Sequence, residues 1–119
     1  MVSLDDVRRE LEQIFSRAAN VMPEVKSWDK VYQFSVAGVG DFYVEIRDGS
    51  MRVVEGRHPK PIATLTASAD VLEKIVSGQL DAMKAFLGGQ LKITGDVLDT
   101  INLKRLIDAG LGKSQPQDI

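Results

Sequence analysis

The chain has 119 residues, 44% of them apolar, with 15 Lys and Arg against 17 Asp and Glu and a net charge of −2. That is the size of one domain with enough apolar material for a core, and the charge balance excludes a nucleic-acid partner, which calls for a basic surplus on one face. With no cysteine and one histidine, His58, disulfides, thiolate metal sites and cysteine nucleophiles are excluded, and a multi-histidine metal centre has no ligands.

The N-terminal stretch Met1 to Asp6 is acidic and no window reaches the apolar length of a membrane span, so a soluble, cytoplasmic domain is expected. Ser3 is a good N-cap, and Asp5 and Asp6 sit in a first turn where the helix dipole favours acids. Leu4, Val7, Leu11, Ile14, Phe15 and Ala18 then share one helical face, which predicts an amphipathic helix to about Asn20, stopped by Pro23. From Lys30 the period falls to two. Tyr32, Phe34 and Val36 lie on one side of a strand, with Gln33 and Ser35 on the other. After the turn Gly38 to Asp41, Phe42, Val44 and Ile46 alternate in a second strand. Asp48-Gly49 signals a type I′ hairpin into a third strand, Ser50 to Glu55.

Gly56 to Pro61 is a loop, since two prolines so close leave little regular structure. Ile62 to Ala67 predicts a fourth strand. Ser68 caps a helix ended by Gly78, Asp81 caps a short helix ended by Gly88-Gly89, and Leu91 to Thr94 is a fifth strand. Asp96 is expected to cap a last helix to about Ala109. Its Val97, Leu98, Ile101, Leu103, Leu106, Ile107 and Leu111 run round most of the circumference, so it needs cover on every side, from the sheet and from a ligand or a partner chain. The order α-βββ-β-αα-β-α gives an α+β class, a five-stranded, mostly antiparallel sheet with helices on one face. The domain is expected over 1–112, followed by a flexible polar tail, 113–119.

The run Ala63 to Ser68, then Leu72, Ser77-Gly78-Gln79-Leu80-Asp81, Ala85-Phe86-Leu87 and above all Gly89-Gln90-Leu91-Lys92-Ile93-Thr94-Gly95-Asp96 resembles the sterol carrier protein 2 (SCP2) sterol-binding domains. The hairpin from Gly40 to Gly49 matches in spacing, so the resemblance runs from about Lys30 to Ile107. It implies a sheet and helices enclosing a hydrophobic tunnel for fatty acids, fatty acyl-CoAs or sterols. Gly88 and Gln90 depart from the polar and basic residues common at these positions, a departure that bears on the preferred head group, and Gln90 is a candidate head-group residue.

The candidate lipid wall is Met83, Phe86, Leu87, Leu91, Ile93, Ile101 and Leu103, with Ile75, Val76 and Leu80 beside it. The same residues also read as ordinary core, since apolar positions at helical spacing usually pack. Burying ~16 carbons at about 0.8 kcal/mol each is worth roughly 10 kcal/mol before entropy costs, enough to bind with few polar contacts. Arg57 and Lys60, with His58, make a basic loop that either meets a CoA phosphate or an anionic membrane, or is merely solvated. No acid pair, nucleophile–base pair or ligand cluster stands at useful spacing, so no catalytic residue, metal or cofactor is expected and the chain is read as a non-enzyme. The leading reading is a lipid carrier with transient membrane contact. The alternatives are an accessory factor presenting a prenylated or acyl intermediate to an enzyme, and a homodimerisation module. The short helix between Gly78 and Gly89 is the candidate lid.

Overall fold

The computed structural model describes residues 2–113. The expected tail beyond Lys113 lies outside the described residues. Helix α1 (Leu4–Val21) opens on a reciprocal cap: Ser3 Oγ accepts the Asp6 N–H at 3.2 Å, and Asp6 Oδ2 accepts the Ser3 N–H at 3.0 Å. Its buried residues are Val7, Leu11, Ile14, Phe15 and Ala18. Pro23 cannot continue the helix and begins a 3₁₀ turn, Pro23–Ser27.

Strands β1 (Asp29–Ala37), β2 (Gly40–Arg47) and β3 (Ser50–Glu55) form an antiparallel meander. Phe34 stands opposite Phe42 across β1 and β2, with the rings stacked at 5.0 Å. Asp48 and Gly49 both take positive φ, 55° and 76°, as a type I′ turn requires. Strand β4 (Ala63–Ser68) then joins β1 on its other side, in parallel, and β5 (Lys92–Gly95) closes the sheet antiparallel to β4. The order is β3-β2-β1-β4-β5, a mostly antiparallel sheet as expected.

Reaching β4 from β3 means crossing two strands, and the loop after Glu55 does so on the face away from the helices. Gln33 fixes it there. Its Nε2 donates to Phe42 O and Gly56 O, both at 3.0 Å, and its Oε1 accepts the His58 N–H at 2.8 Å. A side chain that alternation leaves on the solvent face is thereby buried, with its polar atoms satisfied.

The helix-bearing face has two halves. Over β2 and β3, α1 packs the sheet and crosses α4 (Thr100–Gly110) closely enough that a Cβ on Gly110 would lie 2.3 Å from Ile14 O. Over β1, β4 and β5 lie α2 (Ala69–Val76), α3 (Ala82–Leu87) and the other flank of α4. Ser68 Oγ accepts the Val71 N–H to cap α2, and Asp81 Oδ2 accepts the Lys84 N–H to cap α3, each at 3.2 Å.

The last helix departs from expectation. It begins at Thr100 rather than after Asp96, because Asp96 Oδ1 caps a preceding turn by accepting the Asp99 N–H at 3.0 Å. The Asp99 side chain is drawn away to the sheet instead of capping α4. It accepts from Tyr32 Oη at 2.7 Å and from Lys30 Nζ at 2.7 Å.

Candidate functional site

A hollow opens in the second half. Its floor is the inward side of the sheet, Phe34 and Val36 from β1, Leu65 and Ala67 from β4, and Ile93 from β5 with Leu91 beside it. Its walls are Leu72 and Ile75 of α2, Ala82, Met83 and Phe86 of α3, and Thr100, Ile101, Leu103, Lys104 and Ile107 of α4, with Val97 and Leu98 at the turn before it. The hollow has a volume of about 130 Å³. The lining is apolar apart from Thr100 and Lys104.

Seven of the ten residues expected in a lipid wall line this hollow together: Ile75, Met83, Phe86, Leu91, Ile93, Ile101 and Leu103. Three do not. Val76 follows Ile75 on α2 and is turned into the solid core, and Leu80 packs against the edge of the core between α2 and α3. Leu87, on the last turn of α3, points outward and is 75% exposed. The expected head-group residues also lie elsewhere. Gln90 is exposed in the turn after α3, outside the lining. Arg57 and Lys60 belong to the crossing loop on the opposite face of the sheet, where Arg57 Nη1 reaches Asp41 Oδ2 at 3.0 Å. The sheet itself separates them from the hollow.

The residues that sequence reasoning missed fall into two groups. Phe34, Val36, Leu65 and Ala67 were visible as one face of alternating strands, but alternation does not say whether that face meets a helix or a space. Thr100 and Lys104 are polar positions on a helix read for its apolar ones. Lys104 Nζ lies 2.5 Å from Asp108 Oδ2 and 3.3 Å from Asp81 Oδ1. The Asp108 hydrogen bond raises the Lys104 pKa, partly offset by burial. Thr100 donates its hydroxyl to Val97 O.

The mouth is unusually apolar. Met83, Val97, Leu98 and Ile101 line the hollow and are also exposed, Leu98 at 78%, with Leu87 nearby on α3. This edge is held in place through Asp99. Desolvation pushes the Asp99 carboxyl up, but the hydrogen bonds from Lys30 and Tyr32 prevail and hold it below its ordinary 3.8. Desolvation, and then the hydrogen bond to Asp99, drive the Tyr32 hydroxyl well above its usual range. Both groups are thus fixed in their ordinary neutral-pH forms. No helix among the described residues is long and apolar enough to cross a membrane.

Comparison with known proteins agrees with this architecture. Over 86 residues the chain is 28% identical to mouse hydroxysteroid dehydrogenase-like protein 2, covering 70% of this chain but 18% of that protein, so it spans about a fifth of the curated relative it matches. The structure of sterol carrier protein domain 2 of Helicoverpa armigera superposes with a TM-score of 0.68 at 24% identity, covering 89% of each chain. That of Aedes aegypti sterol carrier protein-2, solved in complex with the C16 fatty acid palmitate, gives 0.67 at 23% identity, covering 92% of this chain and 98% of the other. Residues 11–108 match the SCP-2 sterol transfer family as a whole, and the chain belongs to that family.

Proposed function

We propose that this chain is a non-catalytic lipid carrier that shelters a fatty acyl or sterol-like molecule in the hollow between α2, α3, α4 and the sheet. One observation carries the reading. A concavity walled almost wholly by apolar side chains opens through a rim of further exposed apolar side chains, an arrangement that a chain with no apolar guest would close by packing. The palmitate held by the Aedes aegypti relative supports the same class of ligand here.

Size decides what must move. The hollow's 130 Å³ is close to the ~150 Å³ of an engineered cavity that holds benzene. A long chain or a sterol therefore needs the mouth to widen. Helix α3 is the element to do it: it is six residues long, and Ala85 is its one buried residue. The glycine-flanked lid proposed from the sequence is this helix.

The exposed rim favours contact with whatever supplies or takes the lipid, a membrane surface or an enzyme. The competing reading, in which Leu98 and Leu87 bury against a second copy of the chain, predicts a dimer in size-exclusion chromatography that lipid does not dissolve. The carrier reading is tested by extracting the purified protein with organic solvent, identifying any lipid by mass spectrometry, and titrating the stripped protein with fluorescent acyl and sterol probes. Retention of a lipid and saturable uptake, both lost in Phe86→Asp with the fold intact, are expected. A folded, stripped protein that takes up no probe of either shape refutes the reading.

A further inference from the structure

The register of the sheet divides the floor of the hollow into rows of side chains, and the rows are not equally tall. On the inward side of β4, Ala63, Leu65 and Ala67 alternate with residues of the other face. Leu65 stands between Phe34 of β1 and Ile93 of β5, a row of three large side chains. Ala67 stands beside Val36, and Leu91, the residue before β5, continues the register on its other side. The middle of that row is a single methyl group. Val36 and Leu91 are buried, at 3% and 6% exposure, whereas Ala67 between them is only partly buried, because it looks into the hollow it helps to line. Ala63 makes the contrast: it belongs to the row Tyr32–Ala63–Gly95, is 2% exposed and lies outside the lining. Asp99 is tied to Tyr32 of that row, so the Val97–Ile101 side of the mouth is anchored there. At about 3.3 Å per strand residue, Ala67 lies roughly 13 Å further along β4 than Ala63. The low point of the floor is thus in the row farthest from that side of the mouth.

We infer that Ala67 sets the chain length the hollow accepts: the notch above its methyl group receives the far end of a single linear hydrocarbon chain that enters at the mouth. The width of the notch follows from the sheet. It is one strand wide, and neighbouring strands lie about 4.8 Å apart. That admits one alkyl chain and no fused ring system, so a sterol reaches it only with its alkyl tail. Helix α2 begins at Ala69, directly after this row, and its Leu72 and Ile75 wall the hollow. Each CH₂ that sinks into the hollow strengthens binding about fourfold, and carbons left outside in water add nothing. Length selectivity is therefore a break in that progression, and the height of the side chain at position 67 fixes where the break falls.

This inference rests on the carrier reading. Its test uses the intact, stripped chain and the straight-chain fatty acids from hexanoate to hexadecanoate, each kept below its micelle concentration, in competition with a neutral solvatochromic dye. The wild type should gain about fourfold per CH₂ up to a break and little beyond it. Ala67→Val and Ala67→Leu reach about one and about two carbon–carbon bonds further into the notch. They should move the break shorter by the same number of carbons, with chains below the break bound as in the wild type. Both substitutions fill open space, so each should also raise the urea midpoint of the stripped protein, whereas Ala63→Leu, forced into a packed row, should lower it. A break that stays in place in a folded Ala67→Leu, or an equal loss at every chain length, overturns the inference and leaves the carrier reading standing. So does a lowered urea midpoint for Ala67→Leu, which would mean that the space above residue 67 is already filled. A folded wild type that takes up no chain of any length overturns the two together.

Discussion

Asp99 ties the mouth of the hollow to the sheet, and replacing it tests that role directly. Asp99→Ala removes the acceptor of the Tyr32 hydroxyl, whose residue is fully buried, and the partner of Lys30, whose side chain is 17% exposed. Leaving a buried hydroxyl unsatisfied costs about 1–3 kcal/mol. Losing a half-sheltered ion pair adds a share between the ~0–1 kcal/mol of an exposed pair and the ~3–5 kcal/mol of a broken buried one. The expected total is about 3 kcal/mol, read as a lower urea midpoint with an unchanged slope. Tyr32→Phe removes the donor and leaves Asp99 with Lys30 and Asn102, so it should cost only about 1–2 kcal/mol. In the double variant the unsatisfied hydroxyl no longer exists, and the two single costs should exceed their combination by about 1 kcal/mol or more. The pH profile carries the same signature. The folded Asp99 pKa lies below 3.8, so its contribution is complete above about that pH and is lost as pH falls beneath it. The folded Tyr32 pKa lies above 10.0, so its contribution is complete below that pH and is lost as pH rises past it. Additive single costs, or an Asp99→Ala protein within 0.5 kcal/mol (about the ordinary scatter of surface substitutions) of wild type, would refute this account of the mouth.

Gly110→Ala should destabilise the fold by about 2–3 kcal/mol in the same urea assay, because the new methyl meets the Ile14 backbone and neither α1 nor α4 can give way cheaply. Gln33→Ala should cost about 2 kcal/mol and speed hydrogen exchange at His58, whose N–H loses its acceptor, without changing lipid uptake on the far face of the sheet. Leu98→Ser should leave the urea midpoint within about 0.5 kcal/mol of wild type, since the side chain is 78% exposed, yet slow the transfer of a fluorescent lipid from vesicles. Unchanged transfer would remove the rim from the exchange step.

Much of the fold could be read from local rules, because the residues that set it act locally. Ser3, Ser68 and Asp81 cap the helices they were expected to cap, and Asp48-Gly49 makes the expected hairpin. The helix start shifted because Asp96 Oδ1 caps the turn before it rather than the helix itself, while Lys30 and Tyr32, more than sixty residues upstream, hold the Asp99 side chain on the sheet. The parallel pairing of β1 with β4 was equally out of reach, since a loop crossing the open face leaves no mark except a buried Gln33 that alternation reads as exposed. At the site, the family resemblance and the apolar surplus of the last helix pointed to the half of the molecule that holds the hollow. Facing within a six-residue helix was not legible: Phe86 and Leu87 are neighbours in sequence, and one lines the hollow while the other looks into solvent. Charge near a loop did not reveal its facing either: Arg57 and Lys60 lie on the crossing connection, on the face of the sheet away from the hollow.

The division of the helical face explains how a hollow survives in so small a domain. A chain of this length has little stability to spare, and an unfilled space costs the contacts its lining atoms would have made. The cost is tolerated because α1, the longest helix, packs on β3 and along α4 through its buried Val7, Leu11, Ile14, Phe15 and Ala18, and Gly110 lets that crossing close without a gap. Helix α4 thus belongs to both halves. Leu106 and Gly110 are buried with α1, while Ile101, Lys104 and Ile107 line the hollow. With one flank clamped, the other remains in register even when α3 is displaced, so the hollow can open at α3 without loosening the sheet. Native-state hydrogen exchange in the stripped protein should show this as protection falling in the order α1, α4, α3, with added lipid raising protection in α3 most. Protection in α3 equal to that in α1 before any lipid is added would mean that the wall does not open there, and the route into the hollow would have to be sought at Val97–Ile101.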